Sequence, residues 1–165
     1  MFAAMEAWPL AVWVRESTSI FGYTLVLSLH AMGLAMAVGF GTLISVRLLG
    51  GMRSIPLAAL HKIVLLSYLA FILNFISGSM LFISEATKMG VMPAFWGKIF
   101  FVLLGTTVIW RIDHKIVTNP AVNTLESPPD SGRRLAYFSL ACWYLALIVG
   151  RLTGYPELVN RMLGL

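Results

Sequence analysis

The chain has 165 residues, 59% of them hydrophobic and only 12% charged. A soluble domain carries about 25% charged residues, so this chain lacks the charge to coat a surface facing water, and its mean hydropathy of +0.85 makes lipid the expected solvent. The net charge of +5 comes from basic residues flanking apolar runs, which reads as membrane anchoring and not as nucleic-acid binding.

Residues 1–18, MFAAMEAWPLAVWVREST, place Trp8 and Trp13 among small and charged residues, the pattern of a segment lying in the membrane interface. Glu6 and the lack of a basic start argue against a cleavable signal peptide. Ser17 or Thr18 stands where it would cap a following helix. The first apolar run, about Ser19–Val46, exceeds the roughly 20 residues that a helical span needs. The second is about Ile63–Ser84. The third, about Ala94–Trp110, is interrupted by Lys98, and the fourth, about Leu135–Gly150, lies between Arg134 and Arg151. Flanking residues extend the two shorter runs, because long basic side chains reach back to the interface. All four are expected to be helices, since lipid offers no partner to an unpaired backbone.

Short connections at Gly50–Leu60 and Glu85–Pro93 predict antiparallel neighbours. A longer one, VTNPAVNTLESPPDSG, is polar and rich in breakers. The tail after Arg151 predicts a brief interfacial helix, LVNRMLGL. The expected fold is therefore all-α: a four-transmembrane-helix bundle over residues 19–150, an interfacial segment at 1–18 and an interfacial tail at 151–165. Loops one and three carry Arg47, Arg53, Lys62, Arg111, Lys115, Arg133 and Arg134, against Arg15, Lys88, Lys98, Arg151 and Arg161 on the other side. This bias predicts loops one and three in the cytoplasm of a bacterial inner membrane.

Chemistry falls to few side chains. His30 lies inside the first apolar run, where an ionisable ring is costly without a partner. His61 opens the second span and His114 closes the third, on the same face of the membrane. Two imidazoles at one depth suit the axial positions of a haem b, with Arg53 and Arg111 near enough in depth to pair with its propionates. Interfacial anchoring is the plainer reading of both rings. Gly33, Ala37 and Gly41 share a helix face with His30, and this flat stripe would admit either a porphyrin or a neighbouring helix. Met80 on span two is the nearest second ligand for His30, while a His30–Asn74 hydrogen bond would satisfy both groups with no cofactor. Met32 and Met36, one turn apart, are soft donors of the kind that bind Cu(I), though methionine also fills packing gaps. Asp113 is placed to orient His114. Cys142 is alone, which excludes an intrachain disulfide and any zinc spacing. Phosphate loops, nucleophile elbows and zinc-protease motifs are absent.

The stretches SLHAMGLAMAVGFGTLISVRLLG (Ser28–Gly50), PLAALHK (Pro56–Lys62) and MPAFWGKIFFVLLG (Met92–Gly105) resemble an uncharacterised family of bacterial four-helix membrane proteins. The family has a Leu-His and a glycine in helix one, an Arg-Leu-Leu-Gly at that helix's end and a Phe-x-x-Lys entering helix three. Ser45 stands where the family usually has an acid. More distantly, the layout is similar to the cytochrome b561 and copper-resistance type of membrane protein, and that similarity implies haem held by helix histidines. The expected function is thus a haem-binding electron-transfer subunit, with His61 and His114 as ligands, His30 as a ligand or a polar group of a quinone site, and other membrane subunits or a second copy as partners. A cofactor-free accessory subunit of a larger bioenergetic complex is the alternative; its aromatic faces (Phe95, Trp96, Phe100, Phe101, Trp143, Tyr144) would pack on other helices. A copper or small-solute permease would require oligomerisation.

Overall fold

The structure, a computed structural model, describes residues 1–125 and 127–164. It is all-α, and among the described residues there is no strand. The order is α1 (Phe2–Glu6), α2 (Pro9–Glu16), α3 (Tyr23–Leu48), α4 (Leu60–Ser84), α5 (Ala86–Gly90), α6 (Pro93–Ile112), α7 (Pro120–Asn123), α8 (Asp130–Leu152) and α9 (Pro156–Leu163). Helices α3, α4, α6 and α8, with a helical turn before α4 and another after α6, are the four long and apolar enough to cross a membrane. Large apolar side chains cover their outer faces, among them Leu65, Leu69 and Phe75 on α4, Phe100 and Leu103 on α6, and Phe138 and Ile148 on α8. Such a surface belongs in lipid, and the protein is an integral membrane protein.

Local chemistry sets the helix ends. Proline occupies the first turn of α2, α6 and α9, where its missing N–H costs nothing. Helix α3 ends in a left-handed Gly50 (φ 96°), with Gly51 N–H donating to the Val46 carbonyl at 3.0 Å and Gly50 N–H to that of Arg47 at 3.1 Å. Glycine reaches this conformation without steric cost, so the chain reverses at once into loop one. The expected cap by Ser17 or Thr18 is not made. Helix α3 starts at Gly22, and Ser17 Oγ instead accepts from Ser19 N–H in the turn after α2. Asp130 in the first turn of α8 and Arg151 in its last oppose the helix dipole, so this helix begins in residues that read as loop.

The four long helices form a ring in the order α4, α3, α8, α6. The backbones of consecutive α4 and α6 approach least, and the two helices meet through the Phe82, Phe95 and Trp96 rings. The apolar core lies toward loops one and three, where Ile44, Leu48, Leu57, Leu60, Val64, Ile109, Ile112 and Ile116 are all but fully buried. Trp143 of α8, 2% exposed, fills the middle. A Cβ built on Gly41 would lie 2.7 Å from its Nε1, and one on Gly105 3.1 Å from its Cε2. The expected outward aromatic face thus loses Trp143 to the interior, while Trp96, Phe100 and Tyr144 stay exposed. Most serines and threonines of the spans bond to their own helix, as Ser45 does to the Gly41 carbonyl and Thr106 to that of Val102, and this is how apolar helices tolerate hydroxyls.

The N-terminal segment is two short helices docked on the bundle. Ala11 and Val14 of α2 are wholly buried against it, with Trp8, Leu10 and Trp13 exposed. Arg15 donates to the Ser84 carbonyl at 3.2 Å, and Glu6 accepts from the Thr87 hydroxyl and N–H at 2.6 and 2.8 Å. These two bonds hold the Glu6 carboxyl below the usual carboxylate range, with Arg15 adding a smaller effect in the same direction.

Candidate functional site

His30 sits about two turns into α3, between the face that carries α1, α2 and α5 and the middle of the span. Its ring meets α4 on one side. Nδ1 lies 3.1 Å from the Asn74 carbonyl, and the Asn74 amide donates to the His30 carbonyl at 2.9 Å. The expected His30–Asn74 pairing is therefore present and two-way. The Ser77 hydroxyl lies 3.4 Å from Nδ1 and donates to the Leu73 carbonyl at 2.6 Å. Asn74 and Ser77 are both buried.

Lys98 completes the site from α6. Its Nζ lies 3.0 Å from His30 Nε2. The side chain crosses the ring of helices from α6 to α3, and a Cβ built on Gly150 of α8 would lie 3.3 Å from its Cδ. A lysine that reads as snorkelling to the surface instead turns inward. The signal was there: His30 and Lys98 each lie about two turns or less inside spans that start on the same face, so they share a depth. One turn closer to that face, Phe82 of α4 stacks on Phe95 of α6 with ring centroids 5.0 Å apart; Phe2 of α1 and Trp96 of α6 meet Phe82 edge-on at 6.1 and 6.4 Å. These rings roof the polar cluster.

The shortest contact of Nδ1, 3.1 Å to the Asn74 carbonyl, favours one tautomer, although the Asn74 amide nitrogen also lies 3.3 Å from Nδ1. A carbonyl only accepts, so Nδ1 carries the hydrogen and Nε2 presents a lone pair, which accepts from the Lys98 amine. The contact joins two nitrogen bases through one hydrogen bond. Among the described residues no carboxylate forms a salt bridge with Lys98.

The histidines expected to hold a haem each have protein neighbours of their own. His61 is exposed, with Nδ1 3.6 Å from Asp113 Oδ1. His114 is exposed too, its Nδ1 3.2 Å from the Trp110 carbonyl and its ring beside the indole at 4.6 Å. Asp113 therefore meets His61 and not His114, because the chain widens at this point into a π-helical turn, Asp113–Val117, closed by Thr118 N–H on the Asp113 carbonyl at 2.8 Å. Arg53 bonds to the Gly50 carbonyl at 3.2 Å and Arg111 is exposed. The stripe beside His30 is filled. A Cβ on Gly33 would stand 2.7 Å from the Asn74 backbone nitrogen, so Gly33 serves close helix packing and leaves no slot for a porphyrin. His30 itself has the tautomer of a metal-bound imidazole, but Lys98 takes its free nitrogen. Each of the three rings thus has a protein contact of its own in this arrangement. Met32 and Met36 lie on the outer surface, and among the described residues no group of three His, Cys, Asp or Glu is placed to hold a metal.

A second polar group lies toward loops one and three. Arg47 is 2% exposed and donates from Nε to the Ile55 carbonyl, its Nη1 having no partner among the described residues. On the opposite face, an open cleft of about 600 Å³ is lined by Glu6, Arg15, Ser84, Glu85 and Lys88, and its charges are spent on one another and on the backbone.

No family model, curated protein or solved structure matches this chain.

Proposed function

We propose that this protein is a proton-exchanging subunit of a bacterial inner membrane, oriented with loops one and three in the cytoplasm, and that His30 and Lys98 are its working pair. The observation that carries this reading is the 3.0 Å contact between Lys98 Nζ and His30 Nε2 inside an apolar bundle. Ionisable side chains at such depth mark proton relays and substrate paths, because their cost in hydrocarbon is not offset by packing alone. The step balances within the pair. A proton on Lys98 passes along the hydrogen bond to Nε2, leaving a neutral amine and an imidazolium. The same contact then runs in reverse, with Nε2–H donating and the amine lone pair accepting. Asn74 holds Nδ1–H in both states, so the ring need not turn.

This reading replaces haem ligation as the role of His30 and keeps the expectation of a bioenergetic membrane subunit. The test is a pH jump across liposomes containing the purified protein and an entrapped pH dye. Proton equilibration is expected to be faster than in empty liposomes, and to fall to the empty-liposome rate in Lys98→Met and His30→Ala. Equal rates in all four preparations would overturn the proposal. A Soret band in the visible spectrum of the purified protein, lost in His30→Ala, would restore the haem reading.

A further inference from the structure

The charged residues divide unevenly between the two ends of the bundle. Loops one and three hold seven basic residues against Asp113, Glu126 and Asp130, while the opposite side holds five against Glu6, Glu16, Glu85 and Glu157. Exposure sharpens the difference. Arg53, Lys62, Arg111, Lys115, Arg133 and Arg134 are all exposed. Asp113 is buried and turned to His61, and Asp130 meets Arg133 at 4.0 Å. On the opposite side, Arg15 pairs with Glu16 and Lys88 with Glu85.

The 3.6 Å contact of His61 with Asp113 ties the start of α4 to the end of α6, so Lys62, Arg111 and Lys115 share one part of this basic rim. Among the described residues no acid forms a salt bridge with any of the three. Aromatic rings lie just to the membrane side of the rim. Trp110 precedes Arg111, and Tyr137 and Phe138 follow Arg134, all three rings exposed. Such rings settle at head-group level, which puts the guanidinium and ammonium groups at the depth of lipid phosphates.

We infer that the rim of loops one and three binds anionic phospholipid, with Lys62, Arg111 and Lys115 as its principal phosphate site. Cations clustered just outside a span attract anionic head groups, and each Lys or Arg adds to the attraction. Two features set lipid above a soluble anion. The cations stand at phosphate depth, and beside them the spans are apolar, with Leu65 of α4 exposed one turn from Lys62 for an acyl chain to cover. A nucleic acid would need a basic patch projecting into water, whereas these cations ring the ends of the spans. The inference is independent of the role of His30 and Lys98, which lie toward the opposite face.

The experiment places the protein in phosphatidylcholine vesicles with a trace of spin-labelled phosphatidylglycerol or spin-labelled phosphatidylcholine. Electron paramagnetic resonance reads the motionally restricted fraction of each label. Wild type is expected to hold phosphatidylglycerol over phosphatidylcholine by about fivefold, the effect of one cation on an anionic lipid. Lys62→Gln/Arg111→Gln/Lys115→Gln should bring that ratio to about half or less. Lys88→Gln/Arg151→Gln/Arg161→Gln removes as many charges from the opposite side and should leave the ratio as in wild type. Circular dichroism checks folding. Salt at about 1 M, which screens exposed charges beyond a few ångströms, should abolish the preference in wild type with no substitution at all. Equal association of the two lipids with wild type would overturn the inference. So would an equal loss in both triple variants, which would make net charge and not place the cause. Displacement of phosphatidylglycerol by millimolar glycerol phosphate would overturn it too, by making this a soluble-anion site.

Discussion

The His30 ring occupies the space that a side chain on Gly78 would need: a Cβ placed there lies 2.8 Å from Cε1 and 3.1 Å from Nδ1. Gly78 stands one helical turn after Asn74, so the missing side chain is what lets the imidazole reach the Asn74 carbonyl. Gly78→Ala is expected to push the ring off both Asn74 and Lys98, at a cost of about 1–3 kcal/mol as for other overpacked sites. Gly39→Ala is the control, since nothing lies within 4 Å of a Cβ there. Nitrogen-15 spectra of labelled histidine should show His30 perturbed in the first variant and unchanged in the second.

Asn74→Ala removes the amide that donates to the His30 carbonyl and leaves the backbone carbonyl that accepts from Nδ1. The expected loss is about 0.6–2 kcal/mol, the range of interhelical hydrogen bonds in membranes. Unfolding in mixed detergent micelles measures it. A loss above about 3 kcal/mol would point to a cavity or a broken network and not to one hydrogen bond.

Trp143→Ala should be the most damaging single change in the bundle. The indole is wedged between Gly41 and Gly105, and both glycines leave a hole when it goes. Large-to-small changes of this kind cost about 3–5 kcal/mol. The same unfolding assay should place Trp143→Ala well below Tyr144→Ala, whose ring is exposed.

Glu6 ties α1 to α5 through Thr87, and its folded-state pKa is depressed. The sign follows from linkage. A depressed carboxylate stabilises the docked form above its ordinary pKa, and that contribution is lost as pH falls through the lower folded value. Below about pH 4, near the unperturbed carboxylate value, α1 is expected to loosen while the spans stay intact. Hydrogen exchange at residues 1–7 would report it, and Glu6→Gln should loosen α1 at neutral pH with little further change on acidification.

Sidedness is open to a labelling test. Cys142 is buried, so the native thiol should not react with a membrane-impermeant reagent. In Ser54→Cys and Ser131→Cys, at exposed positions of loop one and of the start of α8, labelling in intact cells should fail and succeed only after the membrane is opened. The structure buries Arg47 on one side of the charge count and engages Lys98 with His30 on the other, so the difference between the two sides is unchanged.

The spans were legible because lipid imposes them; about 20 apolar residues can do little else. Their ends were less so. Asp130–Arg134 reads as loop by composition, yet a carboxylate in the first turn and the pull of tertiary contacts start α8 there. The His30–Asn74 contact was visible because each residue is the odd polar group in its own apolar run. For Lys98 the shared depth with His30 was legible but its direction was not, since a lysine near a span's end reads as an anchor and only the helix ring shows its side chain turning inward. The contact of His61 with Asp113, beside His114, was not legible in the sequence for the complementary reason. Equal depth does not fix rotation about a helix axis, and the π-helical turn at Asp113 rotates the end of α6.

The ring order of the helices carries one more consequence. Helix α3 pairs with α4 and α6 with α8, while the chain's middle connection joins helices whose backbones approach least. The molecule is thus two hairpins leaning together, and each can enter the bilayer as its own insertion event. His30 comes from the first hairpin and Lys98 from the second. Neither half holds both residues, so the His30–Lys98 contact forms only when the two hairpins have docked.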